Sequence, residues 1–127
     1  MDQKSDIKLQ IFEQIIYPNE EIHGKIELNY DGRFDTVVIN SQIENSNDIF
    51  NYIELNGKKI NHPYARLSIF RKEIGDRNTI EFTAITKHIP STSSGFTRVK
   101  FRTSIIQEHK EIANYIFFRD IKKEKTV

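Results

Sequence analysis

A chain of 127 residues, 37% hydrophobic and 29% charged, fits one domain of ordinary size with enough Ile and Phe for a single core. Its net charge of +1 creates no global field toward nucleic acid or membrane, so nucleic acid is an unexpected partner and membrane contact would be peripheral. The lack of cysteine excludes a disulfide-stapled fold, thiolate metal sites and a cysteine nucleophile.

The opening MDQKSDIKLQ has no apolar run of signal-peptide length. No stretch approaches the roughly 20 apolar residues that cross a bilayer. With no Asn-x-Ser/Thr acceptor either, a cytoplasmic protein is the expectation.

Period two dominates from the start. Ile7, Leu9 and Ile11 alternate with Lys8 and Gln10. Pro18 cannot donate to a ladder, so it ends this first edge segment and opens a turn at Asn19 and Glu20. Ile22, Gly24, Ile26, Leu28 and Tyr30 then form one strand face, and His23, Lys25, Glu27 and Asn29 the other. Gly24 on the inward face marks a bulge or a close backbone approach.

Further strands follow. Val37, Ile39, Ser41 and Ile43 share a face; Ile49–Leu55 is mixed and ends in Asn56-Gly57, a tight hairpin signal. Leu67 and Ile69, then Ile80, Phe82 and Ala84, then Val99, Phe101, Thr103 and Ile105 continue the alternation. Turn-forming clusters separate them at Asp31-Gly32, 45–48, 75–78 and 90–95. The one helical candidate is 107–114. Ile112–Ile121, with Tyr115, Phe117 and Phe118, is apolar on both faces. It reads as a buried central strand, or as one covered by a second domain, a second copy or an added partner strand. The pattern predicts an antiparallel, immunoglobulin-like β-sandwich of about seven or eight strands over 1–121 and a frayed basic tail over 122–127.

Chemistry-bearing patterns are sparse. His23, His62, His88 and His109 have no ligand spacing, so no metal or cofactor is expected. The carboxylates Glu20, Glu21, Asp35, Asp48, Glu108 and Glu111 show no flanking apolar pocket. The serines at 91, 93 and 94 form no Gly-x-Ser-x-Gly elbow, and the glycines form no phosphate cradle, so no enzyme is expected. The most suggestive set is Arg98, Lys100 and Arg102, whose spacing puts three cations on one strand face about 7 Å apart. They predict either a solvated outer face cross-paired with Glu81 or a similar acid, or a face for an anionic partner such as nucleic acid or a lipid headgroup.

Three motifs in register resemble the N-terminal sandwich of the arrestin-like family. They are Tyr17-Pro18-Asn19-Glu20 with Gly24 after it, Phe82 through Ile89-Pro90 into a small polar loop, and the strand Thr97-Arg98-Val99-Lys100-Phe101-Arg102-Thr103. The family carries Gly where Asn19 stands. The likeness spans nearly the whole chain. It implies a non-catalytic adaptor or scaffold whose partner is another protein, with a homo-oligomer or a second sandwich domain possible. Tyr17, Pro18, Glu20, Gly24 and Pro90 would be structural positions. The chain departs from animal arrestins in offering room for one sandwich and only the lone Lys8 where they carry paired lysines.

Overall fold

Among the described residues the alternating segments settle into ten strands in two facing five-stranded sheets, a β-sandwich. The computed structural model describes residues 5–91 and 93–123. In chain order these are β1 (Ile7–Ile11), β2 (Ile15–Ile16), β3 (Ile22–Leu28), β4 (Thr36–Ile43), β5 (Phe50–Leu55), β6 (Lys58–His62), β7 (Arg66–Phe70), β8 (Thr79–Thr86), β9 (Phe96–Gln107) and β10 (Lys110–Lys122). One sheet runs β1-β3-β8-β5-β6 and the other β2-β10-β9-β4-β7. Every pairing is antiparallel except β2 with β10.

The inward sets fall where alternation puts them. Ile22, Ile26 and Leu28, Val37, Ile39 and Ile43, Ile80 and Phe82, and Val99, Phe101 and Ile105 all enter one core. The mixed run in β5 has a cause. Its register shifts between Tyr52 and Glu54, so Phe50, Tyr52 and Leu55 reach the core despite their uneven spacing.

Gly24 makes a close approach, but to a ring and without a bulge. It faces Phe82 across the ladder, and an added Cβ would lie 2.1 Å from the ring's Cζ. The turn before it also matches expectation. Glu20 N–H bonds the Tyr17 carbonyl, and Asn19 takes φ 65°, which places Pro18 and Asn19 as in a type II turn. Asn56-Gly57 joins β5 to β6 with φ 49° and 81°, the primed turn that suits strand twist.

The helical candidate at 107–114 is instead a hairpin. Glu108 and His109 both take positive φ, and the Glu108 N–H donates to Asp35 Oδ2 at 2.7 Å. That anchor holds a two-residue turn without the usual glycine or asparagine. The one helical turn among the described residues, α1 (Arg71–Ile74), lies between β7 and β8, and Ile74 buries against the core.

Two features of the last strand correct the sequence reading. β10 is not a buried central strand. Among the described residues β2 pairs only with Asp120 and Ile121, leaving the rest an edge, and Ile116 and Phe118 stay 43% and 44% exposed on the outer face. Its inner side is used differently: Tyr115 and Phe117 pack against the core rim, and Arg119 donates to the Ile11 and Glu13 carbonyls at 3.0 Å each. The start of the expected tail is also held, since β10 runs through Lys122 and Lys123 N–H bonds the Gly95 carbonyl. Residues 124–127 of that tail lie outside the described residues.

Candidate functional site

β9 is central in its sheet and keeps an unbroken register with β4, so its even-numbered residues Arg98, Lys100 and Arg102 stand together on the outer face. The ladder places Asp120, Phe118 and Ile116 of β10 opposite them in turn. On the other side Gln42 and Asn40 of β4 face Lys100 and Arg102, and Arg66 of β7 faces Asn40. A fourth cation therefore joins the row, one that no local sequence signal could place.

The row is only partly neutralised. Arg102 pairs with Glu111 at 2.7 Å, and Glu111 also accepts from the Ser104 hydroxyl and the Asn114 amide. Ser104 first, with Arg102 and Asn114 adding to it, holds the Glu111 carboxyl below its ordinary value against some loss of hydration. The Arg98 guanidinium lies 4.5 Å from the Phe118 ring centre, a cation–π contact. Glu81, the acid expected to balance these cations, sits in the opposite sheet facing Lys25. The partner is Glu111, brought over by the hairpin.

The result is a mixed patch: exposed Ile116 and Phe118 beside three arginines, a lysine and amides. Phe118 and Ile116 supply apolar area with no hydrogen-bonding group, and the arginines beside them supply the donors.

One end of this face meets a cleft of about 460 Å³ lined by residues including Glu44, His88, Thr97, Arg98 and Asp120. His88 is buried there and carries a network the sequence did not reveal. Its Nδ1 lies 2.7 Å from Asp48 Oδ2, and its Nε2 lies 3.1 Å from the Thr97 hydroxyl. A carboxylate can only accept, so in the neutral ring Nδ1 donates to Asp48 and Nε2 accepts from Thr97. The His88 bond lowers the Asp48 carboxyl below its ordinary value, with Ser46 assisting against slight desolvation. The imidazole thereby ties the 45–49 loop and the Pro90 loop to β9. Pro90 itself is buried.

A second histidine bond lies at the passage from β1 to β2, where His23 Nδ1 is 2.6 Å from Glu13 Oε2. Burial pushes the Glu13 carboxyl up, but the bonds from His23 outweigh it and the net shift is down. Among the described residues no three His, Cys, Asp or Glu side chains converge to hold a metal.

No family model matches the chain, and no curated protein matches its sequence. Solved structures match its shape. The reeler domain of human F-spondin aligns with TM-score 0.55 at 12% identity, over 94% of this chain and 93% of that one. AvmM, which catalyses macrocyclization in alchivemycin A biosynthesis, gives 0.58 at 7%, over 98% and 93%. The enterotoxigenic E. coli adhesin CfaE gives 0.56 at 8%, over 96% of this chain and 49% of that one. At such identities the likeness is one of fold. The arrestin resemblance rests on the sequence motifs alone.

Proposed function

We propose that this domain is a non-catalytic protein-interaction module, in the manner of an arrestin-like adaptor, and that it binds through the outer face of β9 and β10. The observation that carries this reading is the exposed pair Ile116 and Phe118 set directly against Arg98, Lys100 and Arg102. A face meant only for solvent gains nothing from two large apolar side chains at its centre. The reeler and adhesin likenesses support a binding role in outline.

The runner-up is an anionic ligand, nucleic acid or a lipid headgroup, held by Arg98, Lys100, Arg102 and Arg66. Glu111 and the facing Asp120 weigh against it, because each places a carboxylate where phosphates would lie.

The test is affinity capture on the immobilised chain at low and high salt, with Phe118→Ser and Lys100→Glu variants alongside. A protein retained at high salt and lost with Phe118→Ser supports the module. Nucleic acid or lipid that is released by salt and lost with Lys100→Glu replaces it, since phosphate contacts release counterions.

A further inference from the structure

We infer that β10 is a self-pairing edge, and that two copies of the chain join through antiparallel addition of Ala113–Arg119 to the same segment of the other copy. The inference goes beyond the partner reading and holds whether or not the outer face binds another protein.

The boundaries come from the ladder. On the side away from β9, β2 occupies β10 only at Asp120 and Ile121. At the other end the pairing with β9 is irregular between Glu111 and Ala113. Between these limits lie seven regular residues whose edge away from β9 pairs with no strand among the described residues, although β1 of the other sheet passes close to their inner face. Exposed edges are ordinarily blunted by lysine, proline or a bulge. Ala-Asn-Tyr-Ile-Phe-Phe-Arg contains neither lysine nor proline.

The same boundaries fix the register. An antiparallel pairing that uses all seven residues in both copies must put its two-fold axis at Ile116. Opposed residues share a face, so Ile116 then meets its own copy on the outer face, flanked by Asn114 against Phe118. On the inner face Tyr115 meets Phe117 twice. Cross-strand aromatic pairs are among the favourable ones. Arg119, the segment's one ionised side chain, lies opposite Ala113, and its guanidinium is already bonded to the Ile11 and Glu13 carbonyls. No like charges oppose each other. A self-complementary patch about a two-fold is the commonest route to a dimer.

The chain's lack of cysteine makes the axis directly testable. Residues facing each other across antiparallel strands have Cα atoms about 4.5–5.5 Å apart, within disulfide reach. Sedimentation velocity on the full chain should show twice the 15.0 kDa of one copy at high concentration. Ile116→Lys should raise the dimer dissociation constant at least tenfold while the circular dichroism spectrum is kept. Ile116→Cys should oxidise to a covalent dimer at least ten times faster than Phe70→Cys, an exposed position on β7 at the far edge of the same sheet. A chain that stays monomeric at millimolar concentration overturns the proposal. So does a dimer that tolerates Ile116→Lys, or equal cross-linking at positions 116 and 70. Should Ile116→Lys fail to fold, the cysteine pair alone decides.

Discussion

Gly24→Ala is the smallest substitution the core should refuse. The backbone of Gly24 lies in a regular ladder, so the cost is one of space and not of conformation. An alanine Cβ would stand 2.1, 2.5 and 2.7 Å from three carbons of the Phe82 ring. Comfortable carbon contacts need about 3.5 Å or more, so the ring must retreat by roughly 1.5 Å. It has nowhere to go. Phe82 is 3% exposed and packs edge-on against Tyr52 with centroids 5.7 Å apart, and Tyr52 is fully buried. Overpacking of this kind costs about 1–3 kcal/mol. Alanine's slight gain in strand entropy over glycine, about 0.5–1 kcal/mol at most, offsets little of it. A net loss of about 2 kcal/mol should lower the melting temperature by roughly 7 °C for a domain of this size. Urea denaturation gives the energy directly, and the double variant Gly24→Ala with Phe82→Leu separates the cause. If the ring is the obstacle, the second change costs less in the alanine background than in the parent. A Gly24→Ala protein within about 0.5 kcal/mol of the parent, or strictly additive energies in the cycle, would refute the packing argument.

Three other outcomes are expected. Burial raises the Tyr52 phenol well above its ordinary value, the neighbouring Ser41 hydroxyl falls short of hydrogen-bond geometry, and neither oxygen has another partner among the described residues, so Tyr52→Phe should be neutral or stabilising by up to about 1 kcal/mol in urea melts. His88→Ala removes a buried ring and orphans the Thr97 hydroxyl; it should cost about 2–4 kcal/mol, while Asp48→Ala at the exposed end of the same network should cost under about 1 kcal/mol, and equal losses would contradict the latch. Glu111 has a folded pKa below its ordinary 4.5, so its contribution is whole above that pH and drains away as pH falls through the lowered value; Glu111→Gln should flatten the fall in melting temperature between pH 5 and 3, and an unchanged slope would count against it.

Most of the sandwich was legible because one face of each strand is buried and the side-chain period is two. Val37, Ile39 and Ile43, or Val99, Phe101 and Ile105, leave only one register open to them. What stayed hidden depended on distant contacts. The 107–114 hairpin closes on Glu108 and His109, residues with no turn preference, because Asp35 from another loop holds it. The position of β10 could not be read from its composition, since apolar residues on both faces describe a central strand and a sticky edge equally well. In the candidate site, Arg98, Lys100 and Arg102 do share one face, yet Arg66, Phe118 and Glu111 join them only through strand order. His88 gave no signal, because its partners lie 40 and 9 residues away.

The N-terminal segment changes sheets within a few residues: β1 pairs with β3, while β2 pairs with β10 near the far end of the chain. During synthesis the β1–β3 hairpin can form early, for its two strands are close in sequence. The β2–β10 pairing cannot, because Arg119, Asp120 and Ile121 are the groups that hold the Ile11–Ile16 stretch. Ile15 and Ile16 thus stay unsheltered until residues 119–121 are made and free to dock on them. Loop closure over so long a separation is slow, and exposed strand edges invite chaperones or aggregation meanwhile. Chains cut before residue 119 should leave residues 11–16 open to protease, and chains that reach residue 123 should protect them.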